Sequence, residues 1–221
     1  MNKRRLISTM SSLLFCAGLW MAPSAKAGTL QVVGPLSGTV NWYQTNEYVL
    51  NGPVYVLAGG VLNIQAGTVV KGKPGGTNDA SALYITRGAK IFAEGTRTQP
   101  IIFTAEQDDV LDPEDLGIYS RGLWGGVVLF GNATLNMSAD LFGRTNNPIY
   151  EVYEGLSDDV ISGQRVNRFG GNDDEDNSGV LRYVSIRHGG INILPNKEIN
   201  GLSMGGVGRG TTIDHVECYA I

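Results

Sequence analysis

Between Val54 and Thr104 the chain writes one pattern twice. Tyr55-Val56-Leu57-Ala58-Gly59-Gly60-Val61-Leu62-Asn63-Ile64-Gln65-Ala66-Gly67-Thr68 lies over Leu83-Tyr84-Ile85-Thr86-Arg87-Gly88-Ala89-Lys90-Ile91-Phe92-Ala93-Glu94-Gly95-Thr96, placing Gly60 on Gly88 and Gly67 on Gly95. The offset is 88 − 60 = 28 residues, the size of one solenoid coil. Each copy holds three short β-branched or aromatic runs separated by glycine-bearing corners: Tyr55 to Leu57, Leu62 to Ile64 and Val69 to Val70, then Leu83 to Ile85, Lys90 to Phe92 and Ile101 to Phe103. Three strands per coil is the plan of a parallel β-helix. Alternation within those strands points Val54, Val56, Leu62, Ile64, Val69, Leu83, Ile85, Ile91, Ile101 and Phe103 inward.

At the N-terminus, Lys3, Arg4 and Arg5 precede an apolar run from Leu13 to Trp20 and then Ala25-Lys26-Ala27, the layout of a secretory signal peptide over residues 1–27. Without it the balance is 13 basic against 21 acidic side chains, or −8, which disfavours nucleic acid and anionic lipid as partners. No transmembrane span is expected in the mature chain. Cys218 is then the lone cysteine, so no internal disulfide is available and stability must come from packing. The 31 glycines suit a chain that turns a corner every few residues.

Residues 28–50 read as an N-terminal cap or partial first coil and 51–221 as the β-helix. A loop excursion interrupts it at about 132–179, between Val127-Val128-Leu129-Phe130 and Val180-Leu181-Arg182-Tyr183-Val184-Ser185-Ile186-Arg187. A shorter polar segment runs from Glu106 to Asp115. The chain ends at Ile221 without an evident closing element, which predicts a truncated product or self-association through the C-terminal coil.

Several phrases together resemble the secreted or surface-associated right-handed parallel β-helix proteins of Gram-negative bacteria, of pectin-lyase-like fold. They are Ala66-Gly67-Thr68-Val69-Val70-Lys71-Gly72, Pro100-Ile101-Ile102-Phe103-Thr104, Leu123-Trp124-Gly125-Gly126, Asn177 to Gly190, and Glu198-Ile199-Asn200-Gly201-Leu202. The resemblance implies an all-β, right-handed, single-stranded parallel β-helix and an exported location: secreted, periplasmic or on the outer-membrane surface.

Candidate chemistry is sparse. The run Asp173-Asp174-Glu175-Asp176 offers clustered carboxylates to calcium, though not at EF-hand spacing. Enzymes of the pectin-lyase-like fold often cleave acidic polysaccharides with calcium and a basic side chain; Arg182 or Arg187 would be that base. Their five-residue offset within one strand predicts opposite faces. Trp124, Tyr150 and Tyr153 are candidates for stacking on sugars, with packing as the alternative for each of the three. His188 and His215 read as hydrogen-bonded structural histidines, and Gly205 to Gly210 as a glycine corner without the ending of a phosphate loop.

These features predict an exported, non-catalytic β-helix that presents loops to a glycan or another cell-envelope component. One alternative is a calcium-dependent polysaccharide lyase; a second is a structural repeat of a larger adhesin or autotransporter.

Overall fold

The computed structural model describes residues 28–76, 79–136 and 150–221. The predicted signal segment lies outside the described residues. No α-helix occurs among them, and no helix is long and apolar enough to cross a membrane.

The chain winds forward through β1 (Gly28–Val32), β2 (Thr39–Trp42) and β3 (Asn46–Leu50) into β4 (Pro53–Val56), β5 (Val61–Ile64) and β6 (Val69–Gly72). The next turn holds β7 (Ala82–Ile85), β8 (Lys90–Glu94) and β9 (Ile101–Ala105), followed by β10 (Gly126–Phe130). An excursion then carries four two-residue strands, β11 (Glu151–Val152), β12 (Val160–Ile161), β13 (Gln164–Arg165) and β14 (Arg168–Phe169). The winding resumes with β15 (Gly179–Arg187), detours through the hairpin β16 (Ile191–Leu194) and β17 (Lys197–Ile199), and continues in β18 (Leu202–Gly205) and β19 (Thr212–Tyr219).

All coil-to-coil pairings are parallel and define three faces. β4, β7, β10 and β18 stack as the first face. β2, β5, β8 and the start of β15 form the second. β1, β3, β6, β9 and the end of β15 form the third, and β19 lies along both halves of β15. Tyr183 (φ 47) and His215 (φ 52) turn the corner between the second and third faces, with their rings stacked 4.4 Å apart.

The predicted strands form, but the register is corrected by one residue. Val54 pairs with Leu83 and Val61 with Lys90, an offset of 29, so Gly59 rather than Gly60 lies beside Gly88. A turn closed by the Thr96–Gln99 bridge then adds four residues, and Val69 pairs with Ile102 at an offset of 33. Gly67 accordingly donates its N–H to the Gln99 carbonyl and does not align with Gly95.

Columns of aliphatic side chains fill the interior: Val54, Leu83 and Val127 on the first face, Leu62 and Ile91 on the second, Ile101 and Val184 on the third. Each buried aliphatic side chain contributes about 1.5 to 3 kcal/mol. Of the ten residues expected inside, Val69 is the exception. It is buried but points away from the main core, and Val70, in register with Phe103, takes the inward place. Gly72 leaves the space that the Trp124 ring occupies, since a Cβ there would come within 2.6 Å of it. A second apolar cluster, including Tyr55, Tyr84, Val128 and Phe130, lies outside the first face under Val166, Ile193 and Phe169.

Candidate functional site

The third face carries polar side chains where its outward residues meet the 106–120 segment. Ser185 and Arg187 alternate outward on β15, and the register places Glu217 beside Ser185 and Tyr219 beside Arg187 on β19. Arg187 donates from Nε to Ser185 Oγ at 2.9 Å, and Ser185 donates to Glu217 Oε2 at 2.6 Å. The guanidinium is thereby held along the strand, and it makes no ion pair within 4.0 Å among the described residues.

The segment after β9 closes over this face. Thr104 Oγ1 donates to Asp108 Oδ2 at 2.5 Å, which fixes one end. At the other end His188 Nδ1 lies 2.5 Å from the Ser120 carbonyl; a carbonyl only accepts, so this nitrogen carries the proton. His188 is 2% exposed, and its ring meets Tyr219 edge-on at 5.6 Å. Between segment and sheet lies a cleft of about 380 Å³, lined by Asp108, Asp112, Asp115, Arg187, Glu217 and Tyr219 among others. It falls within the range of small-ligand pockets.

Asp108 is 4% exposed, with its Oδ2 held by the Thr104 hydroxyl. Asp112 and Asp115 each give one oxygen to a nearby backbone amide, Glu114 N and Asp109 N. The cleft lining thus brings the Arg187 guanidinium together with the carboxylates of Asp108, Asp112, Asp115 and Glu217 and with Tyr219, a residue 37% exposed. A hydroxylated ligand can donate to the acids and accept from Arg187 at once, with an apolar ring face against Tyr219.

Arg187 is the one predicted site residue that lines this cleft. Arg182 does not share it, although both arginines point outward: the left-handed turn at Tyr183 interrupts the alternation, so the expectation of opposite faces fails and they stand on different faces of the coil. Arg182 is engaged by Asp214 at 3.2 Å and Glu94 at 3.8 Å.

Trp124 is fully buried and donates Nε1 to the Arg187 carbonyl at 2.8 Å, so it packs the interior and cannot stack on a ligand. Tyr153 likewise belongs to packing, with its ring 5.6 Å from Phe130 and its hydroxyl donating to Ser203 at 3.0 Å. Tyr150 is exposed, but Arg87 covers one ring face at 4.3 Å.

The predicted calcium ligands have other duties. Asp173 accepts from Glu175 N, Asp174 accepts from Thr134 N, and Glu175 pairs with Arg209 at 2.6 Å. The Thr134 backbone N–H is the main cause holding the Asp174 carboxyl below its ordinary range. Asp176, 8% exposed, accepts from Asn132 Nδ2 at 2.9 Å and from Ser178 at 3.3 Å. Among the described residues no three His, Cys, Asp or Glu side chains are grouped to hold a metal. Asp173 closes a local turn, Asp174 and Asp176 tie this stretch to the start of the excursion at Thr134 and Asn132, and Glu175 ties it to Arg209 between β18 and β19.

Ser185, Glu217 and Tyr219 were missed as site residues. Their signal was the i, i+2 pattern Ser185-x-Arg187 recurring as Glu217-x-Tyr219 at an offset of 32, visible once those two stretches are aligned with one another.

Stacked parallel coils with a cleft on one face define a parallel β-helix protein. A family profile described as the pectate-lyase-like β-helix domain matches residues 34–221, and the chain belongs to that family. No match was found among curated proteins or among solved structures.

Proposed function

We propose that this is an exported, non-catalytic β-helix protein of the cell surface or extracellular space that binds a glycan in the cleft between the 106–120 segment and the third face. The carrying observation is the arrangement around Arg187: a guanidinium tied through Nε to Ser185, facing carboxylates that it does not reach, beside the Tyr219 ring. Donors and acceptors held apart without satisfying one another match the mixed donor and acceptor character of sugar hydroxyls. Export is supported by the basic, apolar and small-residue layout of residues 1–27.

Glycan-array screening of the protein from Gly28 onward, followed by calorimetry on the best binder, tests the reading. Arg187→Ala and Tyr219→Ala should each weaken binding about tenfold or more. Wild-type affinity in both would overturn it, and accumulation of unsaturated products from a polysaccharide would replace it with the lyase alternative. Association of copies through the coil of β18 and β19, where Met204 and Ile213 are exposed, belongs to the same proposal. Sedimentation showing a monomer at every concentration would remove that part.

A further inference from the structure

The cleft is walled in two directions. Outward side chains of the third face line up along the coil axis as Lys71, Thr104, Arg187 and Tyr219: Lys71 pairs with Thr104, Thr104 follows Phe103, the partner of Ile186, and Arg187 pairs with Tyr219. Of these four, Arg187 and Tyr219 line the cleft. Thr104 is fully buried, because the chain leaving β9 turns back over it. Glu106 N donates to the Gly72 carbonyl at 2.8 Å, Asp108 N to the Ala105 carbonyl at 3.1 Å, and the Thr104 hydroxyl to Asp108. That turn closes the axial direction. The strand direction is closed just past Arg187, where Gly122 N donates to the Gly189 carbonyl at 3.2 Å, Leu123 N to the His188 carbonyl at 2.9 Å, and His188 Nδ1 to the Ser120 carbonyl. On the sheet, the exposed part of the lining is β19, at Glu217 and Tyr219.

We infer that this cleft takes the end of a glycan chain, its last one or two sugar rings, and not a stretch from the chain's interior. The inference rests on the glycan-binding reading above and names which part of the polymer the same site recognises. An interior stretch needs two openings in line. Here each line through the cleft, along the coil axis or along the strands, meets a hydrogen-bonded wall at one end. The floor between the Thr104 turn and the rim of β19 is two strands wide, about 10 Å, which is room for about two sugar rings. The volume of about 380 Å³ agrees with a ligand of that size. A terminal ring also carries a hydroxyl where an interior ring carries its next glycosidic link. That hydroxyl, a donor and an acceptor, enters the polar lining at the closed end, among Asp108, Arg187 and His188.

The test is calorimetry with oligosaccharide ladders of one to six units, built from glucose, N-acetylglucosamine and galacturonate and joined by the ladder of any other sugar that the glycan array selects. In the ladder that binds, affinity should level off at the disaccharide, with the longer members within about twofold of it, and one protein should bind per chain. Cutting a soluble polymer of the same sugar to half its mean length should about double the protein bound per unit mass, because the number of ends doubles. Tyr219→Ala should weaken the disaccharide and the hexasaccharide by the same factor, since both place the same rings in the cleft. Affinity that climbs on to the hexasaccharide, or a polymer capacity indifferent to cutting, overturns end recognition while leaving glycan binding intact. A hexasaccharide that keeps its affinity in Tyr219→Ala while the disaccharide loses it overturns end recognition as well. Binding of no ladder, together with an empty glycan array, sinks the glycan reading and this inference with it.

Discussion

The Gly59 N–H donates to the Gly88 carbonyl at 2.9 Å, and both residues sit at φ +79, so the same left-handed corner is stacked on itself in successive coils. A Cβ on Gly59 would meet nothing within 4 Å, which isolates the backbone cost from any clash. Gly59→Ala should therefore destabilise the protein by about 1 to 2 kcal/mol, the price of a left-handed alanine. Urea denaturation measures it, and an unchanged midpoint would mean that the corner relaxes freely.

Ile91→Asp should prevent folding at ordinary temperature. Ile91 is fully buried, in register with Leu62, and a carboxylate there finds no charge partner inside the cylinder. Leu111→Asp, at a position 88% exposed, is the matched control and should leave the thermal midpoint in place. Equal stability of the two variants would contradict the inward assignment.

Asp176→Ala should cost about 1 to 3 kcal/mol, because Asn132 Nδ2 and the Ser178 hydroxyl lose a buried acceptor. Calcium should leave the wild-type melting temperature where it is, since the Asp173 to Asp176 carboxylates face separate protein partners. A rise with calcium would return the run to metal binding.

Alkaline stability should reflect the tyrosines beneath the excursion. Burial is the first cause raising Tyr55 from 10.0 to about 12, and burial also pushes Tyr84 upward. A raised folded-state value means stabilisation that is complete below pH 10 and drains away as pH climbs from there through about 12. Phenolate absorbance and circular dichroism followed together should show these two rings ionising with loss of structure. Full phenolate formation in an intact fold would refute the burial assignment.

The β-helix was readable because every coil demands the same things of the chain: inward aliphatics at alternate positions and a permissive corner. Leu62 and Ile91 announced themselves by that alternation. The slip from Gly59 to Gly60 arose where two adjacent glycines made either alignment look equal; only the hydrogen bond to Gly88 distinguishes them. Val69 was misplaced because the run Val69-Val70 is apolar at both positions, which hides which side faces in. The cleft was less legible, since it joins residues near 108 to residues near 187 and 217 through coil register rather than local spacing. Trp124 was ambiguous as a type; the absent side chain of Gly72 decides its place.

The 106–120 segment is tied to the coils at its two ends, by Thr104 holding Asp108 and by His188 holding the Ser120 carbonyl. Between those clasps its acidic residues are mostly exposed and the strands beneath do not depend on them for pairing. Such a stretch behaves like an exchangeable faceplate. Replacing the residues between Asp108 and Ser120 would rewrite what the groove accepts while the stacked scaffold, and the arginine it holds in place, went on unaltered.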